Sequence, residues 1–236
     1  MKREKLGGLD AVLTGGDDRI GGGKGPLVVL LHGFGAPGED LVSLARVIRA
    51  PLGTRFLFPA GPIDMGAFGY GEARAWWMID MAKLDRAMKS GQTRELMSEV
   101  PEGLAPARLM VDALLDEAIE TLAPSKVVLG GFSQGAMLAL DVVLRSDRAF
   151  AGVVLLSGTF LAEREWKPLF EKRKGLPVFQ SHGQSDGVLP FSVAETLTKE
   201  LSTAGLATRF VPFRGGHEIP PPVLDGLASF LGEVLT

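Results

Sequence analysis

The sequence predicts an α/β fold, a mostly parallel central sheet flanked by helices, and three observations carry that prediction. Short apolar runs bounded by glycine or proline recur along the chain, segments of helical period separate them, and the runs are continuous rather than alternating. Strands of a parallel sheet are covered on both faces, so they read as unbroken apolar stretches. Strand and helix in alternation give right-handed crossovers, and ligands of such sheets bind at the carboxyl ends of the strands.

Gly15–Gly25 is rich in glycine and reads as a turn between an initial hairpin and the first parallel strand, Leu27–Leu31. The further strands are Arg55–Phe58, Lys126–Leu129, Phe150–Leu156, Leu176–Gln180 and Thr208–Phe213. Leu41, Leu44, Ala45 and Ile48 make one helical stripe, and Val111, Leu114, Leu115, Ala118, Ile119 and Leu122 a second. Val193, Leu197 and Leu201 mark a third, and Val223, Leu224, Leu227, Phe230 and Leu231 a fourth. Pro190 and Pro220–Pro222 stand where the last two helices should begin, where a missing N–H does no harm.

Residues 63–103 do not fit the alternation. A structureless loop of that length is unlike a compact domain, so the segment should carry short helices of its own. Trp76, Trp77, Met78, Met81, Met88 and Met97 interleave there with Lys83, Asp85, Arg86 and Lys89. The expectation is a lid-like insertion, within a single domain spanning 1–236, that forms part of a substrate wall.

At 236 residues the chain suits one domain with a sizeable core. With 46% hydrophobic and 22% charged residues, it has the balance of an ordinary globular protein. A net charge of −3, its basic residues mixed among acidic ones, gives no reason to expect nucleic acid as partner. Cysteine is absent, which excludes disulfides, a thiol nucleophile and thiolate metal ligands. No apolar run reaches bilayer length and the first residues lack a signal-peptide core, so a cytoplasmic protein without stable membrane insertion is expected.

Gly131-Phe132-Ser133-Gln134-Gly135 follows the strand Lys126–Leu129 and precedes the helical run Ala136–Leu144. A turn this tight needs glycine on both sides and leaves the serine hydroxyl exposed on strained backbone. The helix that begins there points its N-terminus at any developing negative charge. Outside this context the same five residues are as readily a plain β–α turn capped by serine.

A serine hydroxyl attacks only when a base takes its proton, and histidine is the usual base. The chain has three histidines. For the chain order Ser, acid, His, only His217, in Gly215-Gly216-His217-Glu218, lies beyond both serine and acid. Asp141 and Asp147 lie in or just after the helix behind Ser133, and Asp225 lies in the last helix. Asp186, on the loop after the strand ending near Gln180, is the best placed to hold the imidazole. The plainer alternatives are a surface-loop histidine and a turn aspartate.

Backbone N–H groups usually stabilise the oxyanion of acyl transfer. The amide of Gln134 and that of Phe34, in His32-Gly33-Phe34-Gly35, are the expected donors, with His32 bonding the loop backbone. Gly33-Phe34-Gly35-Ala36-Pro37-Gly38 also satisfies a dinucleotide fingerprint, but the next strand ends Phe58-Pro59-Ala60 without the ribose-binding acid. Gly22-Gly23-Lys24-Gly25 lacks the Ser or Thr of a phosphate loop, and His217-Glu218 lacks the second His of a zinc-protease helix. No cofactor and no metal are expected.

Taken together, Leu31-His32-Gly33-Phe34-Gly35, Gly131-Phe132-Ser133-Gln134-Gly135, His182-Gly183-Gln184-Ser185-Asp186-Gly187-Val188-Leu189-Pro190 and Gly215-Gly216-His217-Glu218 resemble the phospholipase/carboxylesterase family of α/β-hydrolases, whose relatives include acyl-protein thioesterases. The resemblance implies a metal-free serine esterase with Ser133, Asp186 and His217 as triad and Phe34 and Gln134 as oxyanion donors. Its substrate would be a small-molecule ester of short to medium acyl chain, or a thioester, and lysophospholipase or acyl-protein thioesterase activity is the alternative. Many relatives carry Trp-Phe-Asp where Ala75-Trp76-Trp77-Met78 stands here. Trp76, Trp77, Met78 and Leu189 are the candidate acyl-site residues. The chain should be a monomer or homodimer. A reading from another class is a non-catalytic binding protein on a hydrolase scaffold.

Overall fold

The computed structural model describes residues 1–80, 82, 86 and 97–236. An eight-stranded sheet runs in the order β1-β2-β4-β3-β7-β8-β9-β10. β1 (Lys2–Leu6) and β2 (Leu9–Gly15) form the expected hairpin and add antiparallel strands to β4 (Arg55–Pro59). From β4 inward the sheet is parallel: β3 (Leu27–Leu31), β7 (Val127–Phe132), β8 (Gly152–Leu156), β9 (Pro177–Gly183) and β10 (Ala207–Phe213). A separate two-stranded ladder joins β5 (Ile63–Asp64) to β6 (Arg74–Ala75).

The unbroken apolar runs have the anticipated cause. Leu27, Val29 and Leu31 face one core, while Val28 and Leu30 face another on the opposite side of the sheet. Helices α2 (Leu104–Leu122), α3 (Gln134–Arg145), α4 (Glu163–Phe170) and α5 (Phe191–Thr203) cover the first face. A 3-10 turn at Asp40–Ser43, the short α1 (Leu44–Val47) and α6 (Pro221–Leu235) cover the second. Pro190 and Pro220 cap α5 and α6 as the sequence suggests.

Helix α3, which leads away from Ser133, is buried along almost its whole length. Its one charged core residue, Asp141, accepts from Arg108 of α2, from Arg145 and from the indole N–H of Trp166 in α4, at 2.9, 2.9 and 2.8 Å. A buried carboxylate is tolerated only when paired in this way. The network ties three helices together and fixes the axis of the one that positions the serine.

In the 63–103 segment the structure differs from the expectation of helices alone. Its first part is the β5–β6 ladder around a 3-10 turn, Gly66–Phe68. Residues 82, 86, 97 and 98 take helical backbone. Met81, Met88, Lys83, Asp85 and Lys89 lie outside the described residues.

Candidate active site

The parallel register brings the carboxyl ends of β3, β7, β9 and β10 to one edge of the sheet, and the loops that follow them converge there. Ser133 stands between β7 and α3 with φ 54° and ψ −116°, a conformation an L-residue adopts only under constraint. Close approach explains the flanking glycines. A Cβ on Gly135 would lie 2.0 Å from the Leu31 carbonyl oxygen, and one on Gly131 2.5 Å from the same atom. The elbow is packed so tightly against β3 that neither position tolerates a side chain.

His217 and Asp186 are brought together. The imidazole Nδ1 lies 2.7 Å from Asp186 Oδ2, which can only accept, so Nδ1 carries a hydrogen, and in the neutral ring the lone pair is on Nε2. Phe132, the residue before Ser133, has its ring centroid 4.8 Å from that of His217, which seats the imidazole beside the elbow. The loops that carry Asp186 and His217 are stitched main chain to main chain. Gln184 N–H donates to the Phe213 carbonyl at 2.8 Å, and Ser185 N–H to that of Gly215 at 2.9 Å. The other carboxylate oxygen of Asp186, Oδ1, accepts from the Val188 and Leu189 N–H groups at 2.8 and 2.9 Å. Burial by itself would raise the Asp186 pKa. Hydrogen bonds from His182, His217 and the Leu189 amide outweigh it and hold the carboxyl far below the usual range. Asp141 and Asp225 are engaged elsewhere, the first in the helix network and the second with Arg49 at 2.6 Å.

A family model described as Phospholipase/Carboxylesterase matches residues 22–235. The chain belongs to that family. This phospholipase/carboxylesterase family member is similar to acyl-protein thioesterase 1 of Kluyveromyces lactis, 30% identical over 220 residues that cover 89% of this chain and 92% of the relative. It is also similar to acyl-protein thioesterase 1 of Eremothecium gossypii, 29% identical over 211 residues, 86% of this chain and 85% of the relative. Among solved structures, esterase PE8 aligns with a TM-score of 0.79 at 29% identity, covering 96% of this chain and 99% of that one.

In this family member the loop after β3 is clamped from three sides. His32 is buried with Nδ1 2.8 Å from the Gly33 carbonyl, and its Nε2 accepts the Gly61 N–H at 2.8 Å. Both ring nitrogens therefore serve the backbone, as the sequence suggests, and Nδ1 carries the hydrogen. Gly35 N–H donates to the Arg74 carbonyl and Arg74 N–H to that of Ala36, each at 2.9 Å, so the β6 strand pins the loop. Among the described residues nothing accepts from the Phe34 N–H.

Trp76 departs from the acyl-wall expectation. It is buried, its indole N–H donates to the His32 carbonyl at 3.0 Å, and its own N–H donates to Gln134 Oε1 at 2.9 Å. Gln134 Nε2 donates in turn to the Trp77 carbonyl at 2.8 Å. The Gln134 side chain is thus a rivet joining the elbow helix to the Trp-Trp segment, a role the sequence gives no sign of. Trp77, Met78 and Leu189 do line a cleft of about 560 Å³, together with Met137, Thr159 and Leu161. Met137 lies one helical turn along from Ser133 and donates its N–H to the Ser133 carbonyl at 3.2 Å, while Asp80, Glu99 and Glu102 add carboxylates to the lining of the cleft.

His182, which the sequence places in the motif around Asp186 and chain order excludes as the base, has a more specific place in the structure. It is fully buried, with Nε2 3.2 Å from Asp186 Oδ2 and 3.1 Å from the Leu189 carbonyl. The sequence shows only that His182 stands in the same motif as Asp186, and no spacing rule announces the contact. Among the described residues no group of histidines and carboxylates is arranged to hold a metal ion, and no helix is long and apolar enough to cross a membrane.

Proposed function

We propose that the chain is a serine esterase that cleaves short- to medium-chain carboxylic esters and thioesters through Ser133, His217 and Asp186. The observation that carries the reading is the 2.7 Å bond from His217 to Asp186 beside a serine held at positive φ on a glycine-flanked elbow. Nε2 of His217 takes the Ser133 proton as Oγ attacks the acyl carbon. The Phe34 and Gln134 amides stabilise the oxyanion, and the protonated imidazole then passes its proton to the departing alcohol or thiol. Water then attacks the acyl carbon and gives a proton to the same Nε2, and the imidazolium returns that proton to Ser133 Oγ as the acyl–oxygen bond breaks and the acid leaves.

The acyl chain occupies the cleft lined by Trp77, Met78, Met137, Leu161 and Leu189, whose volume of about 560 Å³ suits a small ligand. The described residues of the 63–103 insertion, 77–80, 99 and 101–103 among them, supply one wall of the cleft within a single domain. This reading gains support from Ile79 and Met97, which pack on the core, and from the Ala162 N–H bond to the Glu99 carbonyl at 2.9 Å. The enzyme works in the cytoplasm as a monomer or homodimer.

A fluorophosphonate probe should label the wild-type protein and leave Ser133→Ala unlabelled. Turnover of nitrophenyl butyrate and of an acyl thioester should fall roughly 10⁴- to 10⁶-fold in that variant. Ordinary turnover by a folded Ser133→Ala protein would overturn the mechanism.

A further inference from the structure

We infer that His182 is a positioning residue, which fixes the Asp186 carboxylate by donating to the same oxygen that His217 uses. The inference rests on the reading of Asp186 and His217 as acid and base.

Oδ2 of Asp186 has two imidazole neighbours, His217 Nδ1 at 2.7 Å and His182 Nε2 at 3.2 Å. Both atoms within reach of His182 Nε2, this carboxylate oxygen and the Leu189 carbonyl at 3.1 Å, are acceptors. Nε2 therefore carries a hydrogen and shares it between them. Leu189 closes a ring. Its N–H donates to Asp186 Oδ1 at 2.9 Å while its carbonyl receives from His182. With the Val188 amide, also on Oδ1, the carboxylate meets four donors that together approach the number it can accept.

The consequence is directional. The two amides hold Oδ1, but only a second donor at Oδ2 stops the carboxylate plane from swinging to follow His217 alone. A carboxylate that cannot swing holds Nδ1–H of His217 in one line and so keeps Nε2 aimed at the elbow. Hydrogen-bond partners that orient the ligands of a metal ion change affinity or activity roughly 10- to 100-fold when removed, and a partner that orients the carboxylate behind His217 should act on the same scale. The His182 ring is wholly buried, and its Nδ1 has no partner among the described residues. Of its polar atoms, Nε2 alone is bonded, and it is bonded to the acid loop. That is unlike His32, both of whose nitrogens serve the backbone.

The test compares His182→Leu, which keeps bulk but has no donor, with His182→Gln, whose side-chain amide can place an N–H near the Nε2 position. Active sites are titrated with the fluorophosphonate probe, and assays are run well below both melting temperatures. The Leu variant should lose roughly 10- to 100-fold in kcat with KM little changed. The Gln variant should recover most of the loss. The downfield proton resonance of the His217–Asp186 bridge should shift or broaden in the Leu variant and return in the Gln variant. Equal kcat in wild type and the Leu variant with the resonance unmoved would overturn the inference. So would equal losses in both variants that simply follow their melting temperatures. Wild-type protein that fails to label would instead refute the triad itself, which keeps the two failures apart.

Discussion

Removing the Gln134 side chain while keeping its backbone amide separates two roles of one residue. In Gln134→Ala the backbone amide proposed as an oxyanion donor remains, but the Trp76 N–H and the Trp77 carbonyl, bonded at 2.9 and 2.8 Å, lose their partners. Both tryptophans are almost fully buried, so water does not readily replace the lost groups. Each stranded group costs about 1–3 kcal/mol. The variant should therefore lose ~2–6 kcal/mol of stability, which for a chain of this size lowers Tm by roughly 5–20 °C. Gln134→Glu is the sharper companion. It keeps an acceptor for Trp76 but turns a carboxylate oxygen toward the Trp77 carbonyl, so it too should be destabilised. Thermal and urea unfolding measure the loss, and probe-titrated kcat at low temperature measures what chemistry survives. Activity per titrated site should fall less than tenfold, because the backbone donor is intact. An unchanged Tm in both variants would refute the rivet. A loss of kcat as deep as that of Ser133→Ala would show that the side chain, not the amide, matters to the reaction.

Asp186→Asn should lower kcat by about 10⁴-fold with the fold retained, because an amide no longer selects the imidazole tautomer with its hydrogen on Nδ1. Near-normal kcat in that variant would return the aspartate to the role of a turn residue. Acid should weaken the fold through His32. Burial, only partly offset by its bond to the Gly33 carbonyl, lowers the His32 pKa below the ordinary value. The unfolded chain then binds a proton that the folded chain refuses, so this stability is complete above about pH 6.5 and is lost as pH falls toward the folded value. Tm measured across that range should fall less steeply in His32→Gln than in wild type, and parallel curves would refute the assignment. Trp77→Ala should alter the ratio of kcat/KM between butyrate and longer esters, since Trp77 lines the cleft. Trp76→Ala should act uniformly across chain lengths and lower Tm, and a chain-length effect from Trp76 alone would reverse these placements.

The parallel strands were legible because burial on both faces leaves no polar position to interrupt Leu27–Leu31 or Gly152–Leu156. The elbow was legible because its five residues stand between an apolar strand and a helical run, although the atom both glycines must clear, the Leu31 carbonyl oxygen, belongs to the distant β3. What the sequence hid was made by contacts between distant segments. Helix α4 carries Pro168 and a mostly charged surface, and only the burial of Trp166 and Phe170 beside Phe160 makes it an element of the core. The β5–β6 ladder is two residues long on each side, too short for any periodicity to register. Trp76 looked like a contact for substrate because its composition is the same whether it meets an acyl chain or the His32 carbonyl. The proximity of His182 to Asp186 depends on how the chain curls after β9, which no spacing rule specifies.

The stitching of the Asp186 loop to the His217 loop has a consequence for how the protein comes into being. The proposed base and acid belong to one contiguous stretch, β9 through the turn after β10, while the proposed nucleophile belongs to an earlier one, β7 and α3. During synthesis the nucleophile leaves the ribosome first and waits, inert, for a partner encoded about eighty residues downstream. A nascent chain is therefore unable to hydrolyse anything until its final strand has docked beside β9, and hydrolytic power arrives only with a finished sheet.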